Sequence, residues 1–202
     1  MESAENYLTT TEPAIQHMFM ALELYRQLTP HPSLREYKNN DGVIRLTQEQ
    51  AKNYLAAEID SMSLDIAKST LCGAIVQVAY SGIKQFSTNT DVPRNCQEFD
   101  ISPKSAKAKF CVGRKVHELP IGLIIYAARI QYNHWEDGTP SNPTAKSVFR
   151  HLLSVRLDDM WHDMIYELDW PVTRPVTHCI LELELKWNNY KDYISDMMEI
   201  LK

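Results

Sequence analysis

The chain is poor in glycine, with six residues in 202 against ten prolines. That excludes collagen-like and low-complexity architectures. Its four cysteines, Cys72, Cys96, Cys111 and Cys179, form no C-x-x-C pair. A disulfide framework or zinc knuckle is therefore not expected, and reduced thiols in a cytoplasm are. No stretch reaches the ~20 apolar residues of a membrane span. The N-terminus, Met1-Glu2-Ser3-Ala4-Glu5-Asn6, lacks an apolar signal core. No membrane partner is expected. An excess of positive charge is missing too, since the net charge is −5. Any nucleic-acid contact must come from a local patch. No E-x-x-H occurs, so a di-iron bundle would lack its second carboxylate–histidine pair. No metal and no cofactor are expected, and no internal repeat is visible.

What is present is a helical protein. A hydrophobic fraction of 44% is enough for a core, and eight Met and four Trp suit a packed helical interior. The length fits one domain, or one domain with an appended arm. Residues 1–46 are read as an N-terminal helix and loop packed on the bundle, and 47–202 as the main helical domain. Thr11-Glu12-Pro13 is expected to open the first helix, with Ile15, Met18, Phe19, Leu22 and Tyr25 at helical spacing. Residues 31–46 read as a loop with a turn at 39–42.

Thr47-Gln48-Glu49-Gln50 is a capping box opening a long helix to about Ser87, with a kink or break expected between Ser61 and Gly73. Residues 88–103 read as loop, and Ser102-Pro103 as the start of a short helix ended by Gly113. Leu119-Pro120 is expected to begin a helix that stops at 137–140. Asn142-Pro143 starts another, with Val148, Phe149, Leu152 and Leu153 inward. A further helix is expected over 157–168. Residues 180–187 alternate like a strand, but with no partner strand in view they are read as helix. A last helix follows Asn188, carrying Tyr190, Tyr193, Ile194, Met197 and Leu201. The fold class is all-α, a bundle with long antiparallel helices.

Arg129-Ile130-Gln131-Tyr132-Asn133-His134 is the stretch richest in chemistry. A permanent cation sits five positions from a group that trades protons near neutral pH. Attack of a ribose 2′-hydroxyl on phosphorus needs a base, an acid for the leaving oxygen and a cation for the phosphorane. Histidine as a residue type can do either proton job, and arginine can grip two phosphate oxygens. Asn133 and Tyr132 can support through hydrogen bonds or base stacking. Five steps at ~100° per residue separate the two side chains by ~140°. Convergence therefore needs a distorted last turn or a second copy across a two-fold axis. The plain alternative is an arginine favouring the helix dipole and a histidine decorating a surface.

The stretch from Gly113 through Pro120 and Ala128 to Arg129 and His134 resembles the HEPN superfamily of small helical proteins. So do Gly73-Ala74-Ile75-Val76-Gln77-Val78-Ala79-Tyr80 and the tail with Trp187, Tyr190, Tyr193, Asp196 and Met197. The resemblance covers about residues 50–200 and centres on R-x4-6-H, with Arg129 and His134 in its shortest form. It implies a dimerising helical bundle in which two motifs face each other. It also implies a metal-independent endoribonuclease of a toxin or defence system, with Arg129 and His134 catalytic and RNA the substrate. A separate antitoxin or other protein partner follows from the same resemblance. Family members without cleavage imply a second class, a module binding RNA, nucleotide or a partner protein. Ile130 favours that class, because a polar residue often follows the arginine in the family.

Other features are secondary. Lys104, Lys107, Lys109, Arg114 and Lys115 form a run with no acid between Asp100 and Glu118, read as an RNA-backbone patch or a solvated face. Asp158, Asp159 and His162 share helical spacing that a metal could use, giving a metal-dependent enzyme as a third class. His17, His31, His117, His151 and His178 have no partner identifiable from the sequence. Cys72 and Cys111 are expected to pack.

Overall fold

The computed structural model describes residues 3–27, 46–134, 142–155 and 176–202. The turn at 39–42, His31, the stop at 137–140 and the helix over 157–168 with Asp158, Asp159 and His162 lie outside them. The protein is an all-α bundle.

Helix α1 runs Ala4–Arg26, earlier than its proline suggests. Ser3 caps it, its Oγ accepting from the Asn6 amide at 3.1 Å. Pro13 lies inside and deprives the Thr9 carbonyl of its helical donor. Tertiary packing outweighs that loss. Tyr7, Ile15, Phe19 and Leu22 are buried, and the Tyr7 hydroxyl donates to the Val78 carbonyl at 2.7 Å.

Helix α2 runs Gln48–Phe86, capped as expected. Thr47 Oγ1 accepts from the Gln50 amide at 3.2 Å, and Gln50 Oε1 accepts from the Thr47 amide at 2.9 Å. The break expected between Ser61 and Gly73 does not occur. No proline interrupts these 39 residues. Gly73 and Gly82 serve instead as places where aromatic rings press on the helix: Tyr132 covers the first and Tyr7 the second. By length and composition α2 could cross a membrane, yet 44% of its apolar window is buried inside the bundle.

The chain between α2 and the motif helix holds two 3₁₀ turns, Arg94–Phe99 and Ala108–Phe110. A small antiparallel hairpin follows, β1 (Lys115–Val116) on β2 (Leu119–Pro120). The helix expected to begin at Leu119 therefore begins at Ile121. Two of its first amides bind back to the preceding chain: Ile121 to the Arg114 carbonyl at 2.9 Å, and Gly122 to that of Val112 at 3.1 Å.

Helix α3, Ile121–His134, is the centre of the bundle, with all eight residues 121–128 buried. Tyr132 lies against Gly73 and Arg129 against Gln77 and Tyr80, so α3 runs antiparallel to α2. Helix α4, Pro143–Ser154, has Asn142 as its cap and buries Val148, Phe149, Leu152 and Leu153, as expected.

The alternating stretch is helical: α5, Thr177–Cys179, passes into a π turn, Ile180–Glu184. Ile180, Leu181 and Leu185 are buried and Leu183 is half-buried. Helix α6, Tyr190–Ile200, packs Tyr193 on Phe19 of α1 at 6.2 Å.

Candidate functional site

Arg129 sits where the buried part of α3 ends. Its Nε donates to Gln77 Oε1 at 3.2 Å. With the Asn133 amide oriented to match, Asn133 Oδ1 accepts from Arg129 Nε and Nη2, both at 3.0 Å. The guanidinium carbon lies 4.9 Å from the centre of the Tyr80 ring. Tyr80 itself stacks on Phe110 at 4.8 Å, and Phe110 meets Tyr126 at 5.1 Å. The cation thus caps an aromatic column. No described residue takes Nη1, which is not sealed from solvent.

Asn133, one turn on from Arg129, is exposed and shares its face. Tyr132 lies over Gly73. His134 is half-buried and closes the described part of α3. The helix stays α-helical through His134, so the distorted last turn that would bring the pair together is absent. Within one chain the ~140° offset stands. Arg129, Asn133, Gln77 and Tyr80 converge, and His134 points elsewhere around the helix.

The basic run is largely engaged inside the molecule. Arg114 makes a two-pronged pair with Asp196, Nε to Oδ1 and Nη2 to Oδ2, both at 2.9 Å, and Nη2 also donates to the Leu185 carbonyl. The Trp187 indole donates to the same carboxylate at 2.7 Å. Lys107 Nζ donates to Asp100 Oδ2 at 3.1 Å and to Thr144 Oγ1 at 2.8 Å. Lys109 Nζ donates to the Lys84 carbonyl at 3.0 Å. Lys115 pairs with Glu118 at 3.3 Å. Lys104 is exposed, held in left-handed backbone at φ 61°.

Two clusters escaped the sequence reading. In one, Ser69 Oγ lies 2.6 Å from His178 Nδ1, and His178 Nε2 lies 3.1 Å from Cys179 Sγ. A thiol, a base and an orienting hydroxyl form a chain between α2 and α5. Only the adjacency His178-Cys179 was visible in sequence; Ser69 is 109 positions away. In the other, His117 Nε2 lies 3.4 Å from the fully buried carboxylate of Glu184 on the π turn. His117 and Glu118, the two turn residues of the hairpin, both have positive φ, 47° and 65°. His151 Nε2 bonds the His117 carbonyl at 2.8 Å, and Asn95 donates to that of Glu118.

The remaining thiols are structural. Burial pushes Cys72 far above its ordinary range. The hydrogen bond between Cys96 and Cys111 lowers the first and raises the second. Among the described residues no group of three or more His, Cys, Asp or Glu converges as a metal site. Two surface grooves of about 600 and 530 Å³ lie along α1 and α6, and neither is lined by Arg129 or His134. In comparisons with known proteins, no protein-family model, no curated protein and no solved structure matches this chain.

Proposed function

We propose that the chain is a metal-independent RNA endonuclease of HEPN type, acting as a homodimer in the cytoplasm as the toxin-like member of a defence system. The observation that carries this reading is the clamped guanidinium of Arg129. Gln77, Asn133 and Tyr80 fix its orientation, and Nη1 is left for a ligand. An arginine held this way is pre-organised for a phosphate oxygen.

Because the regular helix keeps His134 off the Arg129 face, the cleft needs both subunits. Arg129 of one subunit grips the scissile phosphate. His134 of the partner subunit takes the proton of the 2′-hydroxyl or returns one to the leaving 5′-oxygen. The new O–P bond closes a 2′,3′-cyclic phosphate, and the 5′-oxygen leaves as a hydroxyl. Tyr132 and the exposed Lys104 supply base and backbone contacts.

Incubation of the purified protein with single-stranded RNA in EDTA tests this. Cleavage with cyclic-phosphate ends is expected, with a loss of roughly 10²–10⁴-fold for His134→Ala. Equal behaviour of wild type and His134→Ala sinks the reading. A second reading, a binding module without cleavage, is favoured by one observation. Ile130, beside the arginine, brings no polar group to the cleft. RNA retention without cleavage selects that module.

A further inference from the structure

The N-terminal half of α2 stands apart from the described bundle. No residue with a described side chain between Gln48 and Lys68 is buried, and Ser69 is the first that is. The other described helices meet α2 further along. Tyr7 of α1 reaches Val78, His178 of α5 reaches Ser69, and Tyr132 of α3 reaches Gly73. A helical arm of some twenty residues is only marginally stable in water on its own.

The arm carries an apolar stripe. Leu55 is 58% exposed, Ile59 64%, Met62 57% and Ile66 50%. Their spacing of four, three and four residues is the d-a-d-a pattern of a coiled coil. They are half of the eight large hydrophobic residues that the described surface exposes.

We propose that this stripe is the seam of a homodimer in which two α2 arms pair in parallel and in register. Three features select a second copy in that orientation. β-branched Ile59 and Ile66 at a, with Leu55 and Met62 at d, favour two parallel strands. In sequence register, positions 58 and 65 both fall at flank g and are both acidic. An antiparallel pair would set each against the other chain's acid, whereas a parallel pair sets them against Ser63 and Thr70. The positions flanking the seam at e, Ala56, Ser63 and Thr70, are small and neutral, so the chains can approach closely.

The seam deepens the two-subunit site and rests on that reading only for its consequence. Because α3 runs antiparallel to α2, its His134 end lies where the arm leaves the bundle. Parallel pairing therefore puts both His134 ends at one end of the dimer, on either side of the axis.

Light scattering across a concentration series reads the seam directly. Wild type is expected to dimerise, and the Ile59→Asp, Ile66→Asp double variant to be monomeric, losing no more helical circular dichroism than the unpaired arm accounts for. A wild type that stays monomeric, or a double variant that still dimerises, overturns the seam. For orientation, Ile59→Cys is oxidised alone and mixed with Met62→Cys, with wild type as the control for native thiols. Self-crosslinking of Ile59→Cys supports parallel register. Crosslinking only in the mixture means antiparallel pairing and overturns it. Capture of the wild type by phosphatidylglycerol vesicles, with no solution dimer, assigns the stripe to a membrane and also overturns it. The RNA assay is scored separately: a dimer that leaves RNA intact sinks the nuclease and spares the seam, and a monomer that cuts RNA does the reverse.

Discussion

At the residue scale, backbone strain is concentrated at His117 and Glu118. Two successive non-glycine residues with positive φ form a tight hairpin turn that ordinarily selects Asn-Gly. His117 keeps its place through Glu184, but the Glu118 side chain contributes only an exposed pair with Lys115, worth little. Glu118→Gly is therefore expected to stabilise the fold by roughly 0.5–1 kcal/mol. A thermal melt that shows no rise, or a fall, contradicts this. The sequence could show five cations near the motif, but not their partners. The acid that claims Arg114 lies 82 positions away, and no local pattern reveals such a pair. Arg129 was legible as chemistry. Its clamp by Gln77, 52 positions distant, was not.

At the element scale, capping signals were readable because they are local. The box at Thr47 and the Asn142-Pro143 start stand where the residues put them. Pro13 misled because tertiary burial of Tyr7 and Ile15 holds a helix through a residue that ordinarily opens one. The alternation over 180–187 was ambiguous because a π turn rotates residues out of the 3.6-residue phase. Gly73 gives a test of the contact between α2 and the motif helix. A Cβ there would come within 2.5 Å of Tyr132 Cδ2. Alanine ordinarily gains about 1 kcal/mol over glycine inside a helix. Here we expect Gly73→Ala to cost a net 1–3 kcal/mol by overpacking, and to weaken RNA binding as Tyr132 shifts. Denaturant melts that show a gain in stability would disprove the contact's role.

At the scale of the whole molecule, the all-α class followed from helical periodicity and the lack of paired strand signals. The buried ionisable groups set a pH limit that composition does not show. Burial raises Tyr7, Tyr193 and Cys72 above their ordinary values of 10.0, 10.0 and 9.0. Raised values favour the neutral, folded form, so their stabilisation is complete below those values and disappears as pH climbs through the raised ones. The melting temperature is expected to hold through neutrality and fall from about pH 9 upward. Tyr193→Phe should soften the fall. A melting curve flat to pH 11 would refute this.

The unbroken course of α2 has one more consequence. From Met62 to Gln77 the helix spans ~22 Å without a proline. With its arm held in the paired seam, it bends as a stiff rod. A torque applied where Leu55 and Ile59 project must turn Gln77 and Tyr80 as well, and with them the cradle of the guanidinium. Whatever grasps the far end of that lever also sets the aim of Arg129.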